Sequence, residues 1–207
     1  MSIIVLKMYF HSIGAAMAQN ELESANQMNL AGRECLEKGD FEGALVNFSK
    51  ALELLPDNQV DAKARLYNNK GRILVRLKRY DDALACFRNG VEIYDKVGNQ
   101  IALAWQLENI GSVYRELEEW NTALEYYSKS LAIFEAGNDK LGIADQYSNI
   151  GYAHFRQGGL GSALQFFEKA KALYDELGEE KKSQFSEQNV QILKREISKL
   201  ILKKGSL

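Results

Sequence analysis

Small residues recur along the chain at an interval of 39 to 40 residues, which is too long for one helix or strand and fits a helix pair. Each copy contains a glycine, and an alanine follows it twelve positions later. Two helices approach closely only where their side chains are short, so each glycine and alanine predict a helix crossing. The pairs are Gly32 and Ala44, Gly71 and Ala83, Gly111 and Ala123, and Gly151 and Ala163.

Bulky residues accompany every predicted crossing and supply the core beside it. An aromatic residue follows each alanine by four positions, as Phe48, Phe87, Tyr127 and Phe167. Short polar or glycine-bearing stretches, KGDFEGA, LKRYDDA, LEEWNTA and QGGLGSA, separate the two halves of each copy. Connections of this length join antiparallel helices. The pattern therefore predicts an all-α chain built from four antiparallel helix pairs.

The ends of the chain depart from this pattern. Residues 179–204 form an amphipathic pattern of period 3.6, so they predict a C-terminal capping helix. Residues 1–23 contain an apolar run, and Ala16-Met17-Ala18 resembles a signal-peptidase site. A basic leading region is missing, and Lys7 and His11 interrupt the apolar run. The alternatives are an extra helix, a signal-like stretch of an exported protein, or a start assigned too early. The expected location is cytoplasmic unless the signal-like stretch is real.

Composition narrows the function classes. The formal net charge is −2, so the chain lacks the overall basic field that nucleic-acid binding relies on. Cys35 and Cys86 have no metal-type spacing and are expected to be core thiols. His154 falls at a packing position of its repeat, and the glycines at 158, 159 and 161 lie in an interhelix turn. A phosphate loop would need a preceding strand. The sequence therefore predicts no enzyme, no metal and no cofactor.

The repeating residues resemble the tetratricopeptide repeat. Its motif of aromatic, Leu-Gly, Tyr, Ala, Phe and Pro corresponds in the first copy to Met28, Ala31-Gly32, Cys35, Ala44, Phe48 and Pro56. The interval near 40 residues is similar to the longer-period branch of that family. The resemblance implies a right-handed superhelical solenoid. It places four repeats within 24–178, at 25–58, 64–97, 104–137 and 144–177, before the cap at 179–204.

The resemblance also implies that the first helix of each repeat lines a concave groove. Asparagine recurs at one groove position, where it lowers helix propensity by roughly 0.6 kcal/mol, and its amide both donates to and accepts from a peptide bond. Arginines add forks for carboxylates, and aromatic residues add rigid anchors. Groove positions also include Asn26, Asn29 and Glu108. The predicted peptide-binding residues are Asn69, Asn109, Asn149, Asn189, Arg33, Arg65, Arg72, Arg76, Arg115, Arg156, Trp105, Tyr152 and Phe155.

The leading hypothesis is a non-catalytic adaptor that binds an extended or helical segment of another protein, with acidic side chains. Replacing Asn109 and Asn149 together by alanine is expected to weaken partner binding at least tenfold, about 1.4 kcal/mol. Two alternatives stay open. The first is a structural module that assembles with itself through its terminal helices. The second is a regulatory domain that senses a peptide by changing its superhelical pitch.

Overall fold

The computed structural model describes the backbone of residues 3–205 and the side chains at 14, 17 and 19–203. Within that range the chain forms nine α-helices and no strand, which confirms the predicted all-α class. The helices are α1 (Ile3–Glu37), α2 (Phe41–Leu54), α3 (Val60–Arg76), α4 (Tyr80–Lys96), α5 (Gln100–Glu116), α6 (Trp120–Ala136), α7 (Lys140–Arg156), α8 (Leu160–Leu177) and α9 (Glu180–Gly205).

The chain divides into two compact units, which we call unit 1 (Met1–Tyr94) and unit 2 (Asp95–Leu207). In unit 1, α1 packs on α2, and α3 packs on α4 where Gly71 meets the ring of Phe87. In unit 2, α5 packs on α6, α7 on α8, and α9 on α8. Each unit is therefore a stack of neighbouring helices whose contacts are local in sequence.

The glycines of the repeat lie where one helix meets an aromatic ring of its partner. A Cβ built on Gly111 would lie 2.8 Å from two ring carbons of Tyr127 and 3.3 Å from the carbonyl oxygen of Ala123. A Cβ on Gly71 would lie 2.5 Å from the ring of Phe87. Both rings are fully or almost fully buried, so the space that glycine leaves is occupied by the core.

Short turns connect the helices, and each except the one between α2 and α3 contains one residue in the left-handed region. Lys78 has φ 58°, and Gly98 has φ 70°. The next helix then begins with a capped turn in several copies. The Asp139 carboxylate, for example, accepts a hydrogen bond of 3.0 Å from the Gly142 amide. Asparagine and aspartate at this position satisfy a helix amide that has no partner within its own helix.

The first and last helices are longer than the others. The backbone of α1 runs without interruption for 35 residues, so the N-terminal stretch and the first repeat helix are one helix. The side chains of Ala16 and Ala18, which suggested a cleavage site, lie outside the described residues. In α9, Val190 and Leu193 are buried against α8, whereas Leu200 and Ile201 are exposed. No helix among the described residues is long and apolar enough to cross a membrane.

Candidate protein-binding site

The first cavity of unit 1 lies between α1 and α3 and has a volume of about 360 Å³. Its polar lining consists of amides and guanidinium groups. The side-chain oxygen of Asn29 is buried there and has no hydrogen-bond partner among the described residues. We call it the Asn29 cavity. Its lining residues are Ala25, Asn26, Asn29, Arg33, Leu55, Ala62, Arg65, Leu66 and Asn69.

A second cavity of about 220 Å³ lies next to the first, since Asn69 lines both. Its floor is apolar, and the guanidinium carbon of Arg76 lies 5.7 Å from the centre of the Phe41 ring. We call the two cavities together the unit 1 cleft. The lining residues of the second cavity are Leu36, Phe41, Asn69, Arg72, Ile73 and Arg76.

The unit 1 cleft is positively charged. Neither cavity has an aspartate or glutamate in its lining. Arg33, Arg65 and Arg72 are exposed, and no carboxylate among the described side chains forms an ion pair with them. An unpaired guanidinium keeps all its donors available for a carboxylate, which it binds with two parallel hydrogen bonds. The cleft therefore suits an anionic ligand that also offers peptide-like polar groups.

A third cavity, in unit 2, carries charges of both signs and has a volume of about 360 Å³. The carboxylate of Asp145 accepts a 2.7 Å bond from the Lys182 ammonium and a 2.6 Å bond from the Tyr174 hydroxyl. Burial raises the pKa of Tyr174 well above its ordinary value, and the Asp145 carboxylate raises it further. The lining residues are Glu108, Asp145, Ser148, Asn149, Tyr174, Lys181, Lys182 and Phe185.

Glu108 is the other carboxylate of this cavity, and amides hold it. The Gln146 side chain donates a bond of 2.8 Å and the Asn149 side chain one of 3.4 Å. Burial raises the pKa of Glu108 and the charge of Asp145 adds to that effect, whereas the amide bonds lower it. The net direction is upward, because the cost of desolvating the carboxylate is the largest contribution.

The predicted arginines of unit 2 are engaged by other side chains of the chain. Arg115 lies 3.2 Å from the Glu116 carboxylate. Arg156 lies 3.2 Å from the Glu118 carboxylate and donates a 3.0 Å hydrogen bond to the Tyr152 hydroxyl. These exposed pairs are weak individually. They nevertheless distinguish the two arginines from those of the unit 1 cleft.

The predicted aromatic anchors of unit 2 also pack within the unit. The Trp105 ring lies 4.7 Å, edge to face, from the buried Phe134 ring. Phe155 packs against the core that includes Phe167. The Tyr152 ring is 6.1 Å from the Trp120 ring. Each ring is half-buried, so each combines a packing role with a remaining exposed edge.

The four repeat-register asparagines occupy different surroundings. Asn69 lines both cavities of the unit 1 cleft, and Asn149 donates to Glu108 in unit 2. The Asn189 amide donates a bond of 2.9 Å to the Phe185 carbonyl on its own helix. Asn109 is half-buried on α5. A role for this whole set in holding a peptide stays a prediction.

Two pairs of residues at these sites lie outside the predicted peptide-binding set, although Asn29 and Glu108 were predicted to face the groove. Asn29 and Glu108 share one repeat position, which is also asparagine at Asn68, and this recurrence was an available signal. Lys181 and Lys182 lie in α9, beyond the four recognisable repeats. Among the described side chains, no group of three or more His, Cys, Asp or Glu could hold a metal ion.

Part of this chain is similar in sequence to a known protein. A DnaJ homolog subfamily C member 7 homolog from Schizosaccharomyces pombe is 36% identical over 62 residues, which are 30% of this chain and 13% of that protein. The chain thus spans a small part of that relative's length.

Solved structures share the fold at low sequence identity. The apo form of RapI is 21% identical with a TM-score of 0.70, over 75% of this chain and 44% of that one. BtubC (BKLC) from P. vanneervenii is 17% identical with a TM-score of 0.63, over 88% and 90% of the two chains. A signal transduction ATPase with a tetratricopeptide repeat sensor, from Pyrococcus horikoshii, is 17% identical with a TM-score of 0.77, over 84% and 27%.

The family model described as tetratricopeptide repeat matches residues 62–136 and 102–176, which together cover more than half of the chain. The match agrees with the recurring glycine, alanine and aromatic positions and with the packing of consecutive helices. The chain therefore belongs to the tetratricopeptide repeat family, whose helix pairs serve as scaffolds for protein–protein interaction.

Proposed function

We propose that this chain is a non-catalytic scaffold that binds an acidic segment of a partner protein in the unit 1 cleft. The observation that carries the proposal is the charge of the cleft. Four arginines line its two cavities without any acidic side chain among the lining residues. A segment that carries carboxylates would supply the negative charge that is missing from the lining of the cleft.

The amides of the cleft favour a peptide over a free anion. Asn69 lies between the two cavities, and the buried oxygen of Asn29 has no partner among the described residues. A buried polar atom without a hydrogen bond costs roughly 1–3 kcal/mol. A peptide N–H that reached Asn29 would remove this cost, and Asn69 offers both a donor and an acceptor. Backbone recognition by amides and side-chain recognition by arginines are thus available in one cleft.

Unit 2 is the less suitable place for the same ligand. Arg115 and Arg156 are paired with Glu116 and Glu118, and the cavity of unit 2 contains the carboxylates of Glu108 and Asp145. An acidic segment would have to displace those pairs or meet negative charge. We therefore assign the preference for acidic ligands to unit 1.

The test is a fluorescence anisotropy titration with three labelled peptides of equal length, made of alternating Glu-Gly, Ser-Gly or Lys-Gly. The Glu-Gly peptide is expected to bind in preference to the other two, and its affinity is expected to fall with added salt because exposed charges are screened. Replacing Arg65 and Arg72 together by glutamate is expected to weaken its binding at least tenfold, about 1.4 kcal/mol.

Arg88→Glu is the matched control, since Arg88 is exposed on α4 and lines neither cavity of the cleft. Arg88→Glu alone changes the net charge by half as much as the double variant does. The control protein therefore also carries Lys96→Glu, so that the two proteins have the same net charge. The control protein is expected to bind within twofold of the wild type. Equal weakening in both variants would show that overall charge, and not the cleft, controls binding, and would contradict the proposal.

Self-association is a second candidate function, favoured by the surface of α9. Phe185 is 52% exposed and Ile192 49% exposed, one heptad apart on the same face of the helix. Light scattering over a range of protein concentrations tests it. Assembly through α9 would be supported if the mass of the wild type rises with concentration and the mass of Ile192→Asp stays at the monomer value. A constant monomer mass would eliminate it.

A further inference from the structure

A large groove lies on the second-helix side of unit 1, between α2 and α4 and above α3. Its volume is about 700 Å³, within the range of about 300–1,000 Å³ that is common for ligand pockets. Leu45 and Val46 of α2 form one wall, Tyr67 and Leu74 of α3 form the floor, and Cys86 of α4 faces them. We call this the Cys86 groove.

At the corresponding place in unit 2, the chain itself supplies an aromatic ring. Phe166 follows Ala163 by three positions, as Cys86 follows Ala83. The Phe166 ring stacks on His154 at 5.6 Å and 15°, and it lies 5.9 Å from the Tyr147 ring. It also packs against the buried core that contains Tyr127 and Ile150. The second helix of this repeat therefore supplies its own anchor.

Unit 1 keeps the surroundings of that anchor but not the ring. Tyr67 is the equivalent of Tyr147, four residues before the repeat glycine, and it is half-buried at the groove. Leu74 replaces His154, and Cys86 replaces Phe166. Burial raises the pKa of the Cys86 thiol, so the thiol is neutral at physiological pH and adds to the apolar lining.

Several polar side chains around the groove are paired with each other. Arg79 lies 2.8 Å from the Asp82 carboxylate and 3.8 Å from the Glu42 carboxylate. The Lys70 ammonium donates a bond of 2.8 Å to the Ser49 hydroxyl. Apolar side chains lie between these pairs, and one of them, Val46, is 52% exposed.

We propose that the Cys86 groove binds one aromatic side chain that projects from a partner protein. The ring of Phe166 shows, within this same chain, which side chain the repeat geometry accommodates between consecutive second helices. Rigid aromatic side chains that enter a pocket are the residues that dominate protein–protein hot spots. The proposal concerns a different face from the unit 1 cleft and does not rest on the function proposed for it.

The test uses a random linear peptide library displayed on phage, selected on the wild-type protein and counter-selected on Cys86→Phe. The substituted ring refills the groove as Phe166 does in unit 2. Synthetic peptides from the selected clones are expected to bind the wild type at least tenfold more tightly than Cys86→Phe. Each is expected to contain a Phe, Tyr or Trp whose replacement by alanine abolishes binding.

Two further variants distinguish the effect of filling the groove from the effect of losing the thiol and from a failure of Cys86→Phe to fold. Cys86→Ala leaves the groove open without the thiol and is expected to bind the peptides within twofold of the wild type. Val46→Trp places a ring on the exposed wall and is expected to weaken binding even if Cys86→Phe does not fold. The Arg65→Glu, Arg72→Glu protein is expected to bind these peptides unchanged, because it alters only the cleft.

The proposal is overturned if the library yields no clone that discriminates between wild type and the two filled variants. It is also overturned if discriminating peptides keep their affinity after their aromatic residue is replaced. Self-association of the wild type that Cys86→Phe abolishes would identify the occupant as a second copy of this chain, and would likewise contradict a separate partner.

Discussion

Replacing Gly111 by alanine tests the packing that sets the repeat interval. The added Cβ would lie 2.8 Å from Cδ1 and Cε1 of Tyr127 and 3.3 Å from the carbonyl oxygen of Ala123. Tyr127 is 0% exposed, and its hydroxyl lies 3.3 Å from that of Ser112. The ring therefore has no free space to move into, so α5 and α6 must separate locally.

Two opposing effects set the magnitude. Overpacking a buried site by one carbon costs roughly 1–3 kcal/mol. Alanine is favoured over glycine within a helix by about 1 kcal/mol. The difference between the two effects is a loss of up to about 2 kcal/mol, so we expect Gly111→Ala to lower the free energy of unfolding of unit 2 by that amount at most.

Two other glycines of unit 2 provide a graded control. A Cβ on Gly151 would come no closer than 3.2 Å to the Phe167 ring, and a Cβ on Gly161 would meet nothing within 4 Å. Gly161→Ala is therefore expected to stabilise by roughly 0.5–1 kcal/mol, with Gly151→Ala between the two. Urea unfolding monitored by circular dichroism measures the differences. Equal stabilisation by all three substitutions would refute the helix-crossing explanation of the repeat.

Two further predictions concern polar groups of unit 2. Burial raises the pKa of Glu108. Between the ordinary and the raised pKa, the folded chain therefore binds more protons than the unfolded chain. The free energy of unfolding consequently falls as the pH rises through that window. Glu108→Gln should thus raise the urea midpoint at neutral pH and lose this advantage below about pH 4; destabilisation at neutral pH would contradict the prediction. Ser130 is fully buried and its hydroxyl donates a 2.8 Å bond to the Ala104 carbonyl, so Ser130→Ala should cost about 1 kcal/mol in unfolding experiments, and no loss would show that the bond contributes nothing net.

The helix pairs could be predicted from the sequence because their packing is local and repeated. Gly111 contacts an aromatic ring 16 positions later, and the same spacing occurs in each of the other copies. Four copies in register make the pattern unmistakable where one copy would not be. The continuity of α1 had a weaker signal, namely the lack of proline between Ile3 and Glu37.

The candidate site was only partly predictable, because neighbours from other repeats determine whether an arginine is paired with a carboxylate. Arg156 is paired with Glu118, a residue 38 positions earlier, whereas Arg33 and Arg65 have no such acidic partner among the described side chains. Their positions in the repeat predict that all three arginines face the groove. Similarly, only the packed structure shows that Asn149 is directed to Glu108. The position of a residue in the repeat predicts the helix face on which it lies. Contacts between repeats determine which side chains of that face remain available to bind a partner.

The central claim is that an acidic segment binds at the cleft between α1 and α3. The most direct measurement is an NMR titration with the Glu-Gly peptide that follows the side-chain amide signals of asparagine and the Nε–H signals of arginine. The largest shifts are expected for Asn29, Asn69, Arg33 and Arg65, with little change at Asn149. Shifts confined to the residues of unit 2, with those four signals unmoved at saturation, would contradict the account.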